Sequence, residues 1–152
     1  LPPTVVHGTV YGVDDPTGGT ARLFALDAQE GAEQWSTRVD GDIRIPQAVG
    51  GGTVFTGTDT GVVSAVDAAS GELRWTTDTD ARSYYGIVTT DESVYLTGLR
   101  SVTALASEDG QPRWSLEVDP LVGTVPAVSG NCLYLGTGGT VSAFCAPASD
   151  DT

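Results

Sequence analysis

ALDAQEGAEQW (Ala25 to Trp35), AVDAASGELRW (Ala65 to Trp75) and ALASEDGQPRW (Ala104 to Trp114) are three copies of one segment. Their tryptophans stand at 35, 75 and 114, a period of 40 and then 39 residues. A fourth copy opens at Ala143 as AFCAP and carries no tryptophan. Self-similarity at this spacing marks a repeat architecture, in which one unit cannot bury its apolar face alone and stacks on its neighbours.

Alignment on the shared alanines (25, 65, 104 and 143) exposes the rest of the unit. Upstream lie HGTVYGV (His7 to Val13), GGTVFTG (Gly51 to Gly57), DESVYLTG (Asp91 to Gly98) and GNCLYLG (Gly130 to Gly136). They are β-branched and aromatic runs bounded by Gly, Asp and Asn, which is strand chemistry. Further upstream are PPTVV (Pro2 to Val6), PQAV (Pro46 to Val49), GIVT (Gly86 to Thr89) and TVPAV (Thr124 to Val128). Each unit therefore reads as four short strands, the third ending near the alanine and the fourth starting at the tryptophan. No useful stretch follows a helical period. Four-stranded antiparallel units repeated radially describe an all-β propeller, or part of one. The expected units are about 1–39, 40–79, 80–118 and 119–146, followed by a polar acidic tail at 147–152.

The turn between third and fourth strands has its own chemistry. Asp27 and Asp67 can accept hydrogen bonds from backbone N–H groups two and three residues on, and Gly31 and Gly71 supply a left-handed conformation. The third copy has Ala106 in place of the Asp but retains Gly110. These aspartates read as turn caps. Trp35, Trp75 and Trp114 are each expected to seal a contact between adjacent units. Burying an indole is worth roughly 4–6 kcal/mol gross at about 25 cal/mol per Å².

Two cysteines, Cys132 and Cys145, are present. A tight turn at Gly138-Gly139 would pair Thr137 with Thr140 and, counting outward, Cys132 with Cys145. That position falls on a non-hydrogen-bonded pair, whose Cα spacing of about 4.5 Å a disulfide can span. The pairing implies an oxidising, extracytoplasmic setting: periplasmic, cell-surface or secreted.

The run of a Gly-Thr-Val-Tyr-like strand, a turn, Ala-Leu-Asp-x-x-x-Gly-x-x-x-Trp and Pro-x-Ala-Val resembles the pyrroloquinoline-quinone-like, or tryptophan-docking, repeat. That unit builds quinoprotein dehydrogenases and the outer-membrane barrel-assembly lipoprotein. The resemblance covers about Pro2 to Ala146. It implies a tryptophan docked on the neighbouring blade and a ring of seven or eight blades. The family's enzymes hold the quinone with a carboxylate, an amide and often an Asp around calcium, commonly beside a disulfide of adjacent cysteines. Here the cysteines are thirteen residues apart, and Asn131, placed in a turn, is the only asparagine. The resemblance therefore carries over the fold and not the cofactor. No cofactor, metal site or catalytic residue is expected.

Composition narrows the partners. The chain of 152 residues has 14 Asp and 6 Glu against 7 Arg and no Lys, for a net charge of −13. Such a surface repels phosphate backbones and anionic headgroups, so nucleic acid and membrane surfaces are excluded as partners. Abundant Asp without Lys also looks like adaptation to high salt or a GC-rich genome. No run approaches the ~18 apolar residues of a membrane span. The chain has no Met, and its start, LPPT, lacks a leader pattern, so it reads as a processed form or an excerpt. Fifteen strands leave one blade incomplete. Closure of the ring is expected from further blades in the same chain or from a second copy.

Few residues invite chemistry. His7, the single histidine, sits in a turn with no matched nucleophile. Asp14-Asp15, Asp40-x-Asp42, Asp78-x-Asp80 and Asp150-Asp151 are acidic clusters, but none has the spacing of a calcium loop. The insert Asp14 to Arg22 lengthens one turn of the first unit. Arg44, Tyr84, Tyr85 and Arg100 fall in connections expected at the channel mouth or one face, and they form the candidate binding face. The sequence thus points to a non-enzymatic extracytoplasmic recognition or scaffold module for a protein or peptide. Two alternatives stand beside it: a segment of a quinoprotein dehydrogenase, and an extracellular sensor domain of a membrane-anchored receptor or kinase.

Overall fold

In the computed structural model, residues 1–14, 19–79, 86–118, 125–137 and 139–145 are described. Among these residues fifteen strands form four antiparallel sheets, each a simple meander. The first blade is β1 (Thr4–Val6), β2 (Thr9–Asp14), β3 (Thr20–Asp27) and β4 (Glu33–Asp40). The second is β5 (Ala48–Gly50), β6 (Thr53–Gly57), β7 (Val62–Asp67) and β8 (Leu73–Asp78). The third is β9 (Gly86–Thr89), β10 (Ser93–Thr97), β11 (Ser101–Ala106) and β12 (Pro112–Glu117). The fourth comprises β13 (Ala127–Ser129), β14 (Cys132–Thr137) and β15 (Thr140–Cys145). This is the partial β-propeller expected from the repeats. No helix among the described residues is long and apolar enough to cross a membrane.

One transverse row recurs in the first three blades. Tyr11 pairs with Ala25 and Ala25 with Trp35; Phe55, Ala65 and Trp75 form the same row, as do Tyr95, Ala104 and Trp114. Alanine is a poor strand former, yet it recurs for a steric reason. The two flanking rings lean together over its methyl, with centroids 6.1, 5.9 and 5.9 Å apart. A larger side chain would wedge that aromatic pair apart. Directly after each alanine the register slips by one residue, a bulge that twists the outer strand.

The core lies between blades. Tyr11, Leu23, Ala25 and Trp35 of the first blade meet Val54 and Val66 of the second. Phe55, Val63 and Ala65 then meet Ile87, Val94 and Leu105 of the third. Val102 and Val118 meet Leu133 and Leu135 of the fourth. Alternation along each strand thus divides its apolar residues between two interfaces, the arrangement of a radial stack. Gln47 adds a polar tie across the first interface, donating from Nε2 to the Tyr11 carbonyl at 2.6 Å.

Candidate functional site

In a meander, connections after the second and fourth strands leave from one rim, and those after the first and third leave from the other. The first rim therefore gathers residues 41–47, 58–61 and 98–100. Its connections are tied together. Asp59 N donates to the Asp42 carbonyl at 3.1 Å, Thr79 N to the Gly61 carbonyl at 2.9 Å, and Val118 N to the Arg100 carbonyl at 2.8 Å. Ile43 bridges Thr58 between neighbouring blades.

Arg44 and Arg100 both lie on this rim. Arg44 is largely exposed and pairs with Asp42 at 3.1 Å. It borders a depression of about 310 Å³ together with Leu1, Val13 and Ile43. Arg100 occupies the exposed turn between β10 and β11. Tyr84 and Tyr85 lie outside the described residues, as do Asp15, Asp80, Asp150 and Asp151 of the acidic pairs and residues 15–18 of the first-unit insert.

The opposite rim carries the turns that join third to fourth strands. Asp27 Oδ1 accepts the N–H groups of Gln29 and Glu30, both at 2.9 Å. Those bonds hold the Asp27 carboxyl below its usual pKa. Asp67 accepts from Ala69 and Ser70, also at 2.9 Å, and is gripped by Arg74. The Ser70 N–H, followed by the Arg74 guanidinium, lowers its pKa to about 2. In the third turn Ala106 has no carboxylate, and Asp109 Oδ1 instead accepts the Gln111 N–H at 3.0 Å.

These turns receive the tryptophans. The Trp35 indole donates to the Ala68 carbonyl of the second blade at 2.9 Å, and Thr37 Oγ1 donates to the Gly71 carbonyl. Trp75 repeats the contact on the third blade, donating to the Ser107 carbonyl at 3.0 Å while Thr77 donates to the Gly110 carbonyl at 2.8 Å. A Cβ on Gly71 would stand 2.7 Å from the Trp35 ring, and one on Gly110 would stand 2.4 Å from Trp75. Trp114 differs from the expectation that each indole seals a junction: it is 40% exposed, against 8% for Trp35. Among the described residues no carbonyl receives its N–H. Gly31 has no atom within 4 Å of a notional Cβ, so its turn carries no indole.

Cys132 and Cys145 are disulfide-bonded across β14 and β15, with Cα atoms 4.0 Å apart, and are register partners. The same cross-strand position holds Thr9 with Asp27, Thr53 with Asp67 and Ser93 with Ala106. The cross-link thus stands where the first two blades carry a Thr–Asp pair.

This cysteine pair spans two strands, and Asn131 stands in the turn between β13 and β14. The described residues therefore do not assemble the carboxylate, amide and adjacent-cysteine set of a quinone site. Nor do any three His, Cys, Asp or Glu side chains among them converge as a metal site. His7 occupies the β1–β2 turn at φ 47°.

Residues 19–147 match the family model described as "Outer membrane protein assembly factor BamB". The chain belongs to this BamB-like, PQQ-type repeat family. Solved structures agree on the fold. BamB from Moraxella catarrhalis superposes with a TM-score of 0.69 at 24% identity, over 90% of this chain and 50% of that one. The quinohemoprotein alcohol dehydrogenase ADHIIG from Pseudomonas putida HK5 superposes at 0.70 and 24% identity, over 88% of this chain and 27% of the other. In sequence, the BamB-like chain is 35% identical over 118 residues to the serine/threonine-protein kinase AfsK of Streptomyces coelicolor. That match covers 75% of this chain and spans only 14% of the kinase.

Proposed function

We propose that this chain is a non-enzymatic recognition or scaffold module whose partner is a protein or peptide. The observation that carries the reading is the rim bearing Arg44 and Arg100. Its connections are cross-tied by backbone hydrogen bonds, so the exposed guanidinium groups are presented on a rigid platform. Arg on such a surface favours recognition. Family membership supports the reading, since the matching model is named for an assembly factor. The disulfide supports an extracytoplasmic location. We assign the units to about 1–39, 40–79, 80–118 and 119–146, with ring closure by further blades of the same chain or by a second copy.

The test is site-specific photo-crosslinking in cells of the source organism. A photoreactive residue at position 44 or 100 should give a discrete protein adduct, and one at Glu30 or Glu72 on the other rim should not. Adducts of equal yield from both rims overturn the assignment of the face. Calcium- and quinone-dependent dye reduction by the full-length protein overturns the non-enzymatic reading.

A second reading is favoured by the kinase relative. There the chain is a sensor segment of a larger receptor kinase and lies outside the membrane. A kinase domain and a membrane span in the same reading frame support it. A frame holding only further repeats removes it.

A further inference from the structure

The first two junctions share a two-part latch. An indole and a threonine hydroxyl, two residues apart on the outer strand, each donate to a carbonyl in the next blade's turn. At the third junction the threonine position is Leu116, 37% exposed beside the exposed Trp114. The glycine position, aligned from Ala143, is Ser149. The indole is kept, but the threonine donor and the glycine of the seat are both replaced in the sequence. Every residue of β12 is exposed, whereas β4 buries Trp35 and Val39.

What remains is an apolar groove of about 440 Å³ lined by Tyr95, Trp114, Leu116, Phe144 and Cys145. This is within the size range of pockets that hold ligands. Trp114 is already set in place by Tyr95, at a centroid distance of 5.9 Å, so little side-chain freedom is lost on binding. Through Tyr95 and Asn131 the groove runs into a second depression of about 350 Å³, rimmed by Asp91, Glu92 and Arg113. Glu92 is 84% exposed, and its nearest cation, Arg113, is 4.0 Å away and also donates to Ser93 Oγ. Two carboxylates against one guanidinium, on a chain of net charge −13, leave this end acidic.

We propose that the third inter-blade cleft is a peptide-binding groove. It takes an extended segment with an aromatic or branched apolar anchor on Trp114 and a Lys or Arg a few positions away, over Asp91 and Glu92. It rests on the reading of a protein or peptide partner given above, but it adds a second contact region: Asp91 and Glu92 lie in the β9–β10 turn, on the rim opposite Arg44 and Arg100 and two blades away from Glu30. Charge selects the occupant: a second copy of this acidic chain meets repulsion at the rim, whereas a basic segment is attracted. An aromatic-lined groove supplies the anchor, and the carboxylates supply direction and selectivity.

The test is selection of random dodecapeptides on phage against the intact, disulfide-bonded chain. Affinities of the enriched peptides follow by fluorescence polarisation on wild type, Trp114→Ala, Leu116→Lys and the pair Asp91→Lys with Glu92→Lys. Circular dichroism checks that each variant is folded. The expected peptides carry an aromatic or branched residue near Lys or Arg. Trp114→Ala and Leu116→Lys should each weaken binding at least about tenfold, the size of a modest hot spot. Charge reversal at the rim should weaken it about tenfold and flatten its salt dependence.

Enriched peptides that bind all variants alike overturn the groove and leave the recognition reading intact. Enrichment without basic residues, or indifference to charge reversal, overturns the proposed partner chemistry. No enrichment at all overturns the groove and weakens the recognition reading with it. Self-association of the wild type that Trp114→Ala abolishes gives the cleft to a second copy and overturns the peptide.

Discussion

Trp75 lies on Gly110 so closely that a methyl there would stand 2.4 Å from its Cε3 atom. The glycine serves two ends at once: its φ of +73° turns the chain, and its missing side chain makes the seat for the indole.

Glycine substitutions therefore separate the two roles. Gly31, at φ +69° with open space around it, should lose only the left-handed preference on change to Ala, about 1–2 kcal/mol. Gly71→Ala and Gly110→Ala meet an indole as well and should each cost about 1–3 kcal/mol more. Denaturant titrations of the three variants check the order. Equal losses at all three sites would show that the indole contact is not rigid.

The tryptophans are predicted to be unequal. Trp35→Ala removes an 8% exposed ring and its hydrogen bond to Ala68, and should cost about 3–5 kcal/mol. Trp114→Ala removes a ring that is 40% exposed and whose partner is Tyr95, and should cost less, about 1–3 kcal/mol, from the aromatic pair and the part of the ring that is buried. Thermal midpoints of the two variants decide the matter. A Trp114 variant as damaged as the Trp35 variant would contradict the exposed placement.

Reduction of Cys132–Cys145 should loosen one hairpin rather than the whole stack. The bond closes a loop of separation 13, so its removal is expected to cost about 2–3 kcal/mol. Hydrogen exchange of the Cys132→Ser, Cys145→Ser variant should rise in β14 and β15 and stay unchanged in β2 and β3. Native material should resist alkylation of both cysteines until a reductant is added.

Acid should act on Asp67. Its folded pKa of about 2 lies below the ordinary 3.8, so its stabilisation is fully present above about pH 4. That stabilisation is lost as the pH falls through about 2, because the unfolded state takes up the proton first. Wild-type stability should therefore fall between about pH 4 and 2, and Asp67→Asn should fall less steeply there. An unchanged acid limb in Asp67→Asn would remove Asp67 from the account.

Much of this fold was legible because its cause is local. The 40-residue spacing of Trp35 and Trp75 marks a unit, and Val, Tyr and Thr runs between glycines mark strands. The pairing of Cys132 with Cys145 followed from counting outward from the hairpin turn, since antiparallel register is a matter of arithmetic. The unequal fates of the tryptophans were not legible. Trp114 follows a turn of the same length as Trp75 does and stands opposite the equivalent alanine, so its place in the repeat does not set it apart. Two signals could have been read: Leu116, two residues further along the strand where Thr37 and Thr77 stand, and Ser149, where the seat is elsewhere glycine.

The chain's residues by themselves determine the strands, their pairing within each blade and the aromatic-alanine-aromatic row, because all three arise from neighbours joined by short turns. Which indole is sealed and which is left open to solvent was decided only when one blade met the next. Burial of Trp35 depends on Ala68 and Gly71, more than thirty residues further on, and only the packed structure brings those atoms to the ring.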